Sequence, residues 1–132
     1  MKSLSKKEFE SECLKLQFRG KCAVLLINNK MQDINKVTLD YKDSKLSNLE
    51  ELKESVSEHI TGVLVNFQIS SNFSFFKVEK IMYEILKCLP EEANITITAT
   101  YDESKEIDSA NISIVLSQRS NIIVLFSKLF KI

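Results

Sequence analysis

Glycine and proline are nearly missing from this chain: 132 residues hold two glycines and one proline. A phosphate cradle built from backbone N–H groups needs closely spaced glycines so that the chain can approach the anion. Gly20 and Gly62 stand too far apart to make one. Histidine is almost as scarce. His59 is the sole copy, so a Cys-His catalytic pair would have to use it with one of three apolar-flanked cysteines, and a residue at a helix end favoured by the dipole is the plainer reading. Cys13, Cys22 and Cys88 are too widely spaced for a zinc knuckle, contain no CxxC, and are odd in number, which argues against a disulfide framework. No metal and no cofactor is expected.

Charge of one sign is missing too. Eighteen basic and eighteen acidic residues give a formal net charge of +0, without the basic excess of a nucleic-acid-binding domain. Tryptophan is absent. Phe73, Phe75 and Phe76 lack the basic groove that accompanies a base-stacking platform, and read as core. No apolar run reaches the length of a signal peptide's core or a bilayer span, so a cytoplasmic protein is expected, and the sequons at Asn72, Asn94 and Asn111 read as chance.

What the chain does have is one domain's worth of ordinary globular composition, 44% hydrophobic and 27% charged, enough to bury a core of its own over residues 1–132. Charge is unevenly spread. Residues 1–22 are rich in Lys and Arg, the stretch after Asp108 carries Arg119, Lys128 and Lys131 but no acid, and Glu50, Glu51, Glu54 and Glu58 make an acidic segment. These read as solvated faces, with a polar head-to-tail contact surface as the sharper alternative.

Phe9, Cys13, Leu14 and Leu16 suit a short amphipathic helix from Ser5 to about Phe18, with Ser5 and Glu8 spaced as a capping box and Gly20 ending it. The run Cys22–Ile27 predicts a buried strand, and Val37–Tyr41 a short strand or extended loop. Ser47 is placed to cap a helix reaching about His59, with Leu49, Leu52, Val56 and Ile60 on one face. Val63–Ile69 predicts a strand. The longest helix follows it, with Phe75, Val78, Met82, Ile85 and Leu89 as a stripe that Ile81 and Leu86 widen and Pro90 stops. Ile95–Tyr101 alternates as a strand, and Ile112–Leu116 follows closely enough to pair with it as a hairpin. Ile122–Phe126 reads as a further strand or docked tail, with membrane-surface contact and partner binding as alternatives. Helices alternating with strands predict an α/β fold, a two-layer sandwich with a mixed sheet.

Three blocks within this pattern carry a resemblance: Gly62-Val63-Leu64-Val65-Asn66, then Asn72-Phe73-Ser74-Phe75-Phe76-Lys77-Val78, then Ala93-Asn94-Ile95 closed by Asp102-Glu103-Ser104. In order and spacing they resemble the C-terminal domain of the bacterial tubulin-like cell-division GTPase FtsZ, with its GVLxN strand, a helix opened by a DLxLFEV-like segment and an ANIIFGxxxDES strand. The chain departs from that pattern at two places. Gln68-Ile69-Ser70 stands where the family has Thr-Gly-Gly, and Ser5-Lys6-Lys7-Glu8-Phe9-Glu10-Ser11 stands where its catalytic NxDxxD loop is expected.

The resemblance implies a tubulin/FtsZ C-terminal-domain-like fold without the GTPase domain. It implies no nucleotide site and no enzymatic activity, and a role in cell division or filament regulation by protein–protein contact, with a tubulin-like GTPase or a second copy as partner. The contact residues it points to are Lys6, Lys7, Glu8 and Glu10, with Glu103 as a further candidate. Because filaments of that family grow by a heterologous contact that does not close, a lone domain of this kind would cap an end. Two rivals stand beside it: a small-molecule enzyme or ligand-binding domain, since fold does not fix function, and a homo-oligomeric structural protein pairing through an edge at residues 112–126. Asp102 and Glu103, adjacent in sequence, read as a polar loop rather than an acid–base pair.

Overall fold

In the computed structural model, residues 2–15 and 32–119 are described. The expected helix end at Gly20, the strand at 22–27 and the element at 122–126 lie outside them. The elements run β1 (Lys2–Ser3), α1 (Lys6–Lys15), β2 (Gln32–Lys42), β3 (Lys45–Ser47), α2 (Leu49–Ser55), β4 (Ile60–Ile69), α3 (Phe75–Lys87), β5 (Asn94–Tyr101) and β6 (Ala110–Arg119). The six strands form one mixed sheet in the order β1-β2-β6-β4-β5, with β3 also on β2. Only β4 and β5 are parallel, joined through α3, and the other pairings are antiparallel.

The order corrects one expectation. β5 and β6 do not pair as a hairpin, because β4 lies between them. Residues 112–119 therefore belong to a strand hydrogen-bonded on both sides and offer no edge for oligomerisation. The strand expected at Val37–Tyr41 runs eleven residues, Gln32–Lys42, because its pairing with β6 extends to Gln32↔Arg119. It turns into β3 through Asp43 and Ser44, both at positive φ (53° and 62°) between the paired Lys42 and Lys45, the pattern of a type I′ hairpin turn.

Strand alternation sends side chains to two faces. On one, Val37 and Leu39 of β2, Val63, Val65 and Phe67 of β4, and Ile112, Ile114 and Leu116 of β6 meet Leu52 of α2 and Ile81, Met82 and Ile85 of α3 in the main core. Burying such a side chain contributes about 1.5–3 kcal/mol, so among the described residues this two-layer half carries most of the apolar stabilisation. On the other face, Ile34, Leu64 and Val115 meet Phe9 and Cys13 of α1 in a smaller core, and α1 adds a partial third layer.

Helix ends follow local chemistry. At α1 the expected capping box is present: the Glu8 N–H donates to Ser5 Oγ and the Ser5 N–H to Glu8 Oε1, each at 3.2 Å. At α2 the cap is not Ser47, which lies in β3, but Asn48 in the left-handed region (φ 71°), with its Nδ2 donating to the Thr38 carbonyl. That helix stops at Ser55; Val56 still packs on the core and Ile60 opens β4. In β4 the register shifts between Ile60 and Gly62, a bulge that inserts Thr61 next to a glycine.

Candidate interaction surface

α3 reads as an amphipathic helix because its apolar residues recur at three- and four-residue spacing. Ile81, Met82 and Ile85 are buried, and Val78 packs beside them. The stripe is narrower than its pattern suggested, since Phe75 and Leu86 belong to the solvent side. There Phe75 is 73% exposed, Phe76 63%, Tyr83 62% and Leu86 46%. Phe76, Lys80, Tyr83 and Lys87 form an outward line at i, i+4, i+7 and i+11. Lys80 Nζ stands 4.8 Å from the Phe76 ring centroid and Lys87 Nζ 4.4 Å from that of Tyr83, so each ammonium caps an aromatic face.

Of the three phenylalanines expected in the core, Phe73 alone is there, edge-on to Tyr41 at 6.0 Å between centroids. Beside α3 an open groove of about 870 Å3 runs toward β3 and α2, lined by Tyr41, Leu46, Leu49, Phe76, Ile81 and Tyr83. Lys77 at its margin is tied to Asp108, and this hydrogen bond pushes the lysine's pKa up.

Of the residues expected from the resemblance, Lys6, Lys7, Glu8 and Glu10 lie on α1, and Glu103 lies apart from them. Lys6 opens α1, and Lys7 is exposed in its first turn. Glu8 is committed to the cap and to Lys2 Nζ at 3.3 Å, and the Ser5 N–H above all holds its carboxyl below the usual range. Glu10 is half-buried. Glu103 accepts the Ser71 N–H at 3.2 Å, joining the loop after β5 to the loop after β4.

α1 starts beside Ile34, in the row Ile34–Ser117–Gly62–Asn94, whereas Glu103 lies past the row Tyr41–Ala110–Ile69–Tyr101. The two rows are roughly 23 Å apart at about 3.3 Å per residue, at opposite ends of the strands. Distance alone separates Glu103 from the start of α1.

Asp102 is engaged differently from its neighbour. Its Oδ1 accepts the Ser104 hydroxyl at 2.6 Å and N–H at 3.0 Å, and its Oδ2 accepts Gln68 Nε2 at 3.1 Å. The Ser104 bonds lower its pKa. The two carboxylates thus serve separate loops. His59 is not at the end of α2 but in the turn before β4, 3.6 Å from Glu58 Oε1. Cys13 is buried beneath α1, and that burial raises its thiol pKa to about 11, with Glu12 and Glu10 adding to the shift. Among the described residues no cluster of His, Cys, Asp and Glu is arranged to hold a metal ion, and no helix is long and apolar enough to cross a membrane.

Fold and surface together define an α/β domain with a mixed sheet, covered by helices on both faces and presenting an aromatic helix face outward. No protein-family model and no curated protein matches the chain by sequence. Among solved structures it is similar to an FtsZ dimer from M. jannaschii, with a TM-score of 0.49 and 16% identity over 64% of this chain and 26% of that one. It is similar also to a HypE–HypF complex, with a TM-score of 0.49 and 10% identity over 86% of this chain and 42% of that one. The chain thus spans less than half the length of either.

Proposed function

We propose that this chain is a non-enzymatic interaction domain that binds a subunit of a tubulin-like GTPase through the outer face of α3 and limits filament growth. The observation that supports it is the set Phe75, Phe76, Tyr83 and Leu86, four large apolar side chains exposed on the outer side of one helix. Single exposed apolar residues are ordinary, but a clustered patch rich in aromatics is the composition of protein-binding surfaces. Keeping these rings exposed in the free domain costs solvation free energy that a partner recovers on docking.

The choice of partner follows the sequence resemblance in Gly62–Asn66, Ala93–Ile95 and Asp102–Ser104. A domain that occupies a filament end without offering the next contact stops addition there. The α3 face is preferred to Lys6, Lys7, Glu8 and Glu10 because Glu8 is held in its cap, and surface charges in general contribute little to affinity.

Light scattering of a cognate tubulin-like GTPase with increasing amounts of this protein tests the reading. Equimolar addition should lower polymer mass and GTP turnover, and Phe76→Ser with Tyr83→Ser should remove the effect. Unchanged polymer mass and turnover would sink it. The groove beside α3 favours a second reading, capture of a small apolar ligand between Leu46 and Tyr83. Ligand-induced quenching of tyrosine fluorescence without any effect on polymer would select it.

A further inference from the structure

The two margins of the sheet are built differently. On one, β2 is covered by two short pieces, β1 of two residues and β3 of three, which carry Lys2 and Lys45. Short strands and lysines are how natural sheets block unwanted pairing. On the other margin, β5 runs eight residues, Asn94–Tyr101, without a charge, a proline, a glycine or a register shift against β4. Among the described residues no strand pairs with its outer edge. Its side chains on the α3 face include Ile97, 51% exposed, and Tyr101, 66% exposed.

We propose that the outer edge of β5 is a self-association edge, and that two copies of this chain pair there as antiparallel strands about a two-fold axis at Thr98. The strand's own sequence supports a second copy as the occupant. With Thr98 on the axis, Ile97 faces Ala99 of the other copy and Ile95 faces its Tyr101, large against small and aromatic against β-branched. On the opposite face Thr96 meets Thr100. Such cross-strand pairs each contribute roughly 0.2–1 kcal/mol, and no like charges are opposed anywhere along the eight residues. An isologous contact closes on itself, and because the β1/β3 margin is blunted, association ends at the dimer. One strand pair lies at the small end of specific interfaces, below roughly 1,200 Å2, so the association expected is weak and depends on concentration.

This pairing does not depend on the α3 contact proposed above, and its readout is mass rather than polymerisation. The test is sedimentation and native mass spectrometry of the full chain from micromolar to millimolar concentration. The expected result is a rise to twice the chain mass, accompanied by concentration-dependent slowing of amide exchange at residues 94–101. Ile97→Lys and Ala99→Glu each place a charge on an exposed side chain and should weaken self-pairing about tenfold or more, since like charges then approach across the axis. Mixed together, the two variants should form a heterodimer, because Lys at 97 in one copy faces Glu at 99 in the other. A chain monomeric throughout the range, protection at 94–101 independent of concentration, or a dimer indifferent to both substitutions would overturn the inference. Failure of the mixed variants to pair would overturn the two-fold register.

Discussion

Lys36 Nζ lies 2.8 Å from Glu12 Oε2, with 18% and 20% of the two side chains exposed, and this ion pair joins α1 to β2. It stands beside the smaller core in which Phe9 and Cys13 meet Ile34, Leu64 and Val115. Apolar contact holds the helix down, and the pair fixes its position along the strand. A charged hydrogen bond shielded this far from water contributes more than a surface ion pair. Glu12→Gln should therefore cost about 1–3 kcal/mol, read by urea unfolding. Loss no larger than that of Glu54→Gln, on the exposed side of α2, would show that the pair adds nothing.

Glu8 and Asp102 should both contribute to the acid limb of stability. Both carboxyls are held below their ordinary values of 4.5 and 3.8, Glu8 by the Ser5 N–H first and Asp102 by the Ser104 hydroxyl first. A depressed folded pKa means that the stabilisation is fully present above the unfolded value and is lost as pH falls through the folded one. The melting temperature should thus be flat above pH 5 with respect to these two groups and decline below 4.5. Glu8→Gln together with Asp102→Asn should flatten that decline; an unaltered acid limb in the double variant contradicts the assignment.

Opposite sides of α3 should respond differently to truncation. Ile85 is fully buried between β4 and the helix, so Ile85→Ala should cost about 2–5 kcal/mol as a large-to-small core change. Tyr83→Ser, on the water side two residues earlier, should leave stability within about 1 kcal/mol. Equal melting shifts for the two would mean that the helix is turned the other way.

Much of this architecture was legible from residue spacing alone. β4, α3 and β5 follow from Val63–Ile69, the Val78–Leu89 stripe and the alternation of Ile and Thr in Ile95–Tyr101, because each pattern is local. The partner of β6 was not legible: Ile112–Leu116 follows β5 closely in sequence, yet strand order depends on contacts between distant segments, and β4 takes the position between them. The start of β2 was hidden because Gln32–Lys36 contributes only Ile34 as an apolar residue and owes its strand conformation to pairing with β6. Asn48 was missed as the cap of α2 because a left-handed asparagine depends on the hairpin before it. For the surface, Phe75 and Phe76 looked like core by residue type, and only the position of α3 on the sheet leaves them in water.

Cys13 should resist alkylation in the folded protein. Burial pushes its thiol to about 11, so at pH 8 almost no reactive thiolate is present. Peptide mapping after iodoacetamide treatment should find Cys13 unmodified in native protein and fully modified in urea. Rapid native labelling at Cys13 would show that α1 lifts from the sheet.

The outer face of α3 is the surface proposed to meet a partner. Mapping amide and side-chain NMR shifts of the labelled chain during titration with a tubulin-like GTPase tests this directly. Phe76, Lys80, Tyr83 and Leu86 should shift or broaden at stoichiometric addition while Phe9 and Leu64 in the smaller core do not. Saturating changes confined to Lys7 and Glu10, or no change at all, would contradict it.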